Sequence, residues 1–196
     1  MALAAVALAG CAGPNGGGSS STEAVVSSEA PATTEAPTTT TSTVDPATLP
    51  QTDEKPVAGG EGFDRRARAL WDAVVADDPS IAVPTFFPLA AYQQVKAIKD
   101  PTSDWHNRLI TEFESDIHAL HRKLGADAAK ASFTGLTVPD RAVWVTPGQE
   151  YNKLPYWRVY GSTLDYTVDG VARSLPVSSL ISWRGQWYVV HLGAIR

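Results

Sequence analysis

Glu114, Asp116, His118 and His121, in the stretch ESDIHALH, are the residues whose types could do chemistry, with His106 upstream. A carboxylate beside an imidazole binds metal ions or moves protons as acid and base. The spacing serves either role poorly. His118 and His121 stand three apart and share a rough helix face, Asp116 points elsewhere, and His121 borders an apolar stripe. Zinc hydrolases of the H-E-x-x-H kind set their histidines four apart with Glu between them, and that pattern is absent here. A solvated helix face is the expectation. A hydrolase or metal-dependent enzyme using the Asp116, His118 and His121 region is the alternative. No G-x-S-x-G elbow, dinucleotide fingerprint or phosphate loop occurs, so no cofactor is expected. One sequence leaves open a Ser-His-Asp set assembled from distant segments.

A second stretch, EYNKLPYWRVYG, points to binding. Tyr151, Tyr156, Trp157 and Tyr160 interleave there with Asn152, Lys153 and Arg158, on what reads as a loop entering a strand. Aromatic faces beside polar donors are what carbohydrate or peptide recognition uses. The candidate binding residues are therefore Tyr151, Asn152, Lys153, Tyr156, Trp157 and Arg158. Strand alternation would set Tyr156, Arg158 and Tyr160 on one face and Trp157 and Val159 on the other, so half of them would be core. His191, alone on a late strand, reads as a satisfied structural residue.

The elements that must position these residues divide by period. Phe63, Ala67, Leu70, Trp71, Val74 and Val75 recur at helical spacing until Asp78-Pro79. A second helix follows Pro88, whose fixed φ suits a first turn. The third is the longest, with Thr102 or Ser103 as cap, a stripe of Leu109, Phe113, Ile117, Leu120 and Leu124, and Gly125 as stop. Beyond Gly125 the period changes to two. ASFTGLTV, AVWVT, YWRVYG, STLDYTV, SLISW and QWYVVHL read as strands, with Gly161-Ser162 as a turn. Asp169-Gly170 and Arg184-Gly185 mark hairpins, since their turns need φ > 0. The fold expected is α+β: about three N-terminal helices packed on a C-terminal curved antiparallel sheet.

Composition separates that domain, 61–196, from what precedes it. Every aromatic residue lies at or after Phe63. Residues 1–60 hold six acids against Lys55 alone, while the remainder carries fifteen charges of each sign. The formal charge of −5 thus belongs to the N-terminal part. No Lys/Arg block exists to displace counterions from phosphates, so nucleic acid is not an expected partner. Residues 12–60 read as a disordered tether, because Ser, Thr, Pro and Gly bury too little apolar area to offset ordering entropy. Such a tether would span ~40 Å as a coil and ~150 Å fully extended. Its Thr/Pro runs also fit a glycosylated stalk.

The single cysteine, Cys11, stands in Leu8-Ala9-Gly10-Cys11 behind a short apolar run. This resembles the lipobox of bacterial lipoproteins: an aliphatic residue, two small residues, then Cys. The resemblance implies that Cys11 becomes the first mature residue and carries diacylglycerol, with 1–11 a truncated signal. Met1–Gly10 is half of the ~20 apolar residues a membrane span needs. The basic region that opens a secretory signal is missing, so the true start is expected to lie upstream. FFPLAAYQQVKAIKDP, DWHNRLITEFESDIHALHRKLG, YNKLPYWRVYG and SLISWRGQWYVVHLG resemble a group of secreted bacterial lipoproteins with no assigned activity, so no catalytic or binding residue carries over. The late Gly185-Gln186-Trp187 gives a looser likeness to NTF2-like and cystatin-like domains, although here the strands all follow the helices. The expected role is a binding or accessory module on the extracytoplasmic face of the cell membrane. It would be lipid-anchored there, with an envelope glycan, peptide or protein as partner.

Overall fold

In the computed structural model, helices come first and an antiparallel sheet follows, an α+β fold. The structure describes residues 44–194. The lipobox, Cys11 and tether residues 12–43 lie outside them.

α1 spans Glu61–Ala76 and ends at Asp77, which takes the left-handed conformation (φ 55°). A short 3-10 turn, Pro79–Thr85, leads to α2, Leu89–Val95, which starts directly after Pro88. The third helical run is compound. α3, Pro101–Asp104, continues through a π-helical turn, Trp105–Leu109, into α4, Ile110–Leu124. Its cap is Asp100 rather than Thr102 or Ser103. Pro101 supplies the first helical residue, and the Asp100 carboxylate accepts from the Ser103 N–H at 2.9 Å. The stripe Leu109, Phe113, Ile117, Leu120 and Leu124 is buried throughout, and Gly125 closes the helix at φ 54°.

Five strands form the sheet: β1 Ser132–Thr137, β2 Val143–Val145, β3 Tyr156–Val168, β4 Val171–Trp183 and β5 Gln186–His191. Their order is β1-β3-β4-β5, with β2 paired to β3 as well. β1 lies along Thr163–Thr167 of β3 and β2 along Tyr156–Arg158, so both occupy one edge at opposite ends. The turns at Asp169-Gly170 (φ 50° and 78°) and Arg184-Gly185 (φ 49° and 70°) close the two hairpins. Gly161-Ser162 is not a turn. YWRVYG and STLDYTV are one strand, and Gly161 at φ 76° kinks it without shifting the register to β4. Arg141 donates over the kink to the Tyr160 carbonyl at 3.2 Å, where any Cβ on residue 161 would sit 2.7 Å from the guanidinium.

Helices and sheet meet through aromatic side chains. Trp71 of α1 packs on Phe133 and Tyr166 of the sheet and Phe87 edge-on against Trp183, while Phe86 packs on Phe113 of α4. The opposite face of the sheet carries Trp157, Ser182 and Trp187 in one cross-strand row and is covered differently.

Residues 44–60 wrap the sheet end, with 46–49 against Trp183 and α2 and 53–58 against Trp157 and Trp187, which corrects the tether boundary. They are not disordered chain but a strap. Pro46–Thr48 forms a short 3-10 turn with Ala47 buried, and Pro56 is buried further on. The Trp183 indole donates to the Pro46 carbonyl at 3.0 Å, and the Trp157 indole to the Asp53 carbonyl at 2.9 Å. Gln51 donates to the carbonyls of Ser182 and Pro155 and accepts from the Arg184 N–H at 2.8 Å. A proline-bearing segment has carbonyls to offer, and indole and amide donors along the sheet end use them. Composition hid this, because the apolar partners all belong to the domain.

Candidate functional site

Two segments far apart in sequence close on each other where α2 ends. Lys96 leaves the helix for extended backbone (φ −84°, ψ 135°) and pairs with Asn152 in a single antiparallel bridge. Around it the Ala97 N–H donates to the Tyr151 carbonyl and the Lys153 N–H to the Val95 carbonyl, both at 2.7 Å. The Lys96 ammonium donates to the Glu150 carbonyl at 2.8 Å. Asn152, only 2% exposed, knots the loop: its side chain accepts from the Glu150 N–H and donates to the carbonyls of Thr146 and Leu154. The loop so fixed holds Tyr151 at φ 51°, with its side chain 80% exposed.

Between this loop, α2 and the strands lies a cleft of ≈ 400 Å³. Four tyrosines line it, Tyr92 and Tyr156 buried and Tyr151 and Tyr160 exposed. Glu150 is fully engaged, accepting from the Tyr156 hydroxyl at 2.7 Å and ion-paired to Arg158. The Arg158 guanidinium also stacks over the Tyr160 ring, 4.3 Å from its centre. Tyr92 donates to Asp104 at 2.5 Å, and Arg108 grips both oxygens of that carboxylate at 2.8 and 2.6 Å. That guanidinium holds Asp104 below the usual carboxylate range. Burial pushes the Tyr156 hydroxyl up, and burial together with Asp104 does the same for Tyr92. Burial pulls Lys96 below the ordinary lysine value, and the nearby charge of Arg108 adds to it. His191 lines the cleft too, and its burial lowers its pKa although Glu112 lies 4.0 Å away.

Three of the six sequence candidates, Tyr151, Tyr156 and Arg158, therefore meet in one cleft. The others do not. Asn152 is a buried loop scaffold, and Lys153 is exposed outside the cleft lining. Trp157 points to the other sheet face, against Trp144 and beneath Lys55. Comparison with known protein families, curated proteins and solved structures finds no match for this chain.

The histidine stretch of α4 is dispersed. His118 Nδ1 meets Asp77 at 2.7 Å, His121 Nδ1 meets the Val74 carbonyl at 2.9 Å, and Asp116 accepts from the Gly193 N–H at 2.8 Å. The two histidines thus tie α4 to the C-terminal end of α1, and Asp116 ties it to the segment after β5. His106 lies edge-on to Trp105. Among the described residues no His, Cys, Asp and Glu side chains gather as a metal-binding group.

The cleft also uses residues the sequence did not single out: Tyr92, Lys96, Glu150 and Ser179, with His191 given only a structural part. Tyr92 and Lys96 stand one helical turn apart, which was a readable signal. Their pairing with the 150–153 loop was not, since it crosses more than fifty residues of chain.

Proposed function

We propose that this chain is a binding or accessory module of the bacterial cell envelope, held on the extracytoplasmic membrane face by a lipid on Cys11. Its binding site is the cleft between α2, the 146–155 loop and the sheet. The observation that carries this reading is the cleft itself. A concave space of ≈ 400 Å³ combines four tyrosines with charges fixed by Arg158 and Lys96, within the usual size of small-ligand sites. Both oxygens of Glu150 are already taken, which suits a group that shapes a surface. The lipobox and the Ser/Thr/Pro stretch supply the anchor and spacer.

Native mass spectrometry of the full chain after exposure to a solubilised envelope extract tests the cleft. A retained glycan or peptide is expected on the native chain and is expected to be lost from Tyr151→Ser and Tyr160→Ser. A retained species indifferent to both substitutions would place binding elsewhere and sink the reading.

A further inference from the structure

Among the described residues, the other cationic groups lining or flanking the cleft face carboxylates, and Lys96 of its lining does not. Arg158 has Glu150, Arg108 has Asp104 and Glu112, and His191 faces Glu112. Lys96 has no carboxylate within ion-pair distance among the described residues. Its ammonium makes one hydrogen bond, to the Glu150 carbonyl, which leaves two of its three protons for another acceptor. This lysine is not a loose surface cation. It is half-buried, and its backbone is pinned on both sides by the bridge to the 150–153 loop.

The same loop presents Tyr151 next to it. A tyrosine in the left-handed region is strained, and strain of this kind persists where the surroundings impose it. Here it sends an aromatic ring out to solvent at the cleft. Tyr160, stiffened by the Arg158 guanidinium on its face, lines the same space. An unmatched cation and two exposed rings therefore face one cavity.

We propose that the cleft takes a ligand carrying a carboxylate on a ring, the carboxylate on the Lys96 ammonium and the ring against Tyr151 and Tyr160. This rests on the reading of the cleft as the binding site. The half-buried setting of Lys96 strengthens such a contact, and the ligand anion would favour the charged ammonium that burial, and after it Arg108, now disfavour against the pull of Asp104. The carboxylate comes from an acidic sugar or from an aromatic acid.

Amide chemical-shift titrations on the full chain separate the cases, with D-glucuronate, benzoate and uncharged D-glucose as probes. One or both acids are expected to shift the amides of Tyr151, Lys96 and Ser179 saturably, while D-glucose at equal concentration does not. Stronger response to D-glucuronate assigns a sugar acid, and stronger response to benzoate an aromatic acid. Lys96→Met is expected to weaken the acid about tenfold or more, the loss typical of a charge-assisted hydrogen bond, and Lys96→Arg to keep it. Lys96→Gln serves if the methionine variant loses its native amide spectrum. Equal response to D-glucose, acid binding that survives Lys96→Met, or no shift from either acid overturns the proposal. A Tyr151-dependent species retained from envelope extract alongside any of these results leaves the binding reading standing. No retained species and no shift overturn both.

Discussion

His191 is half-buried in the cleft lining, with Glu112, Asp116, Arg108 and Lys96 nearby. Burial outweighs the two carboxylates and lowers its pKa on folding. The unfolded chain therefore takes up the proton first, and stability falls as the pH drops through the ordinary histidine value of 6.5. A thermal unfolding series from pH 7 to pH 5 is expected to show the midpoint falling, and His191→Gln is expected to flatten that slope. An unchanged slope would mean the imidazole is as well solvated folded as unfolded. Tyr151 carries the opposite kind of cost. Its left-handed backbone disfavours a side chain with a full Cβ, and 80% of that side chain lies in solvent, so little packing compensates. Asn tolerates this conformation better, and Tyr151→Asn is expected to stabilise the chain by about 1 kcal/mol in chemical denaturation. The same variant is expected to bind the cleft ligand more weakly. Stability gained where binding is lost is the mark of strain kept for function.

Among the elements, the strap of residues 44–60 adds the most to what the helices and strands alone would build. Gln51 holds it by bonds to Ser182, Pro155 and Arg184, all groups at the sheet end. Gln51→Ala leaves those partners partly unsatisfied and is expected to cost about 1–3 kcal/mol. A chain beginning at residue 61 bares Trp157 and Trp187 and is expected to aggregate or melt far below one beginning at residue 44. Equal melting of the two would show that the strap only decorates the sheet. The kink in β3 makes a narrower prediction. Gly161→Ala meets both a positive φ of 76° and the Arg141 guanidinium, and is expected to cost about 1–2 kcal/mol. Local periodicity made the helices legible: the α4 stripe and the Gly125 stop are where spacing put them, as are both hairpin turns. The strap was illegible, because it has no period of its own and gains its order from tryptophans a hundred residues away. Gly161 misled for a related reason, since a glycine at positive φ ends a strand or bends one, and only the partner strand decides.

For the whole molecule, the uneven division of charge and aromatics separates a neutral, core-forming part from an acidic one without aromatics, and the structure adds residues 44–60 to the folded part. Half of the candidate site was legible for the same reason that the domain was. Tyr151, Tyr156 and Arg158 sit close together in sequence, so one loop and one strand deliver them, whereas Lys96 and His191 reach the cleft only through the fold. The N-terminal part yields the last prediction. If Cys11 carries diacylglycerol, at least two acyl chains contribute about 0.8 kcal/mol per buried CH₂, enough to hold the chain on a membrane where one chain would exchange. No helix among the described residues is long and apolar enough to cross a membrane. Cys11→Ala is then expected to move the chain from the membrane pellet to the soluble fraction of a bacterial host expressing it with its native leader. Metabolic labelling with a palmitate analogue is expected to mark the native chain and not the variant. The unfolding midpoint of the variant, measured alongside, is expected to match the native one, because the cleft and core belong to residues 44–194. A variant that pellets as before, or a native chain that takes no label, would remove the anchor from the proposal and leave the cleft to be tested as the site of a freely diffusing protein.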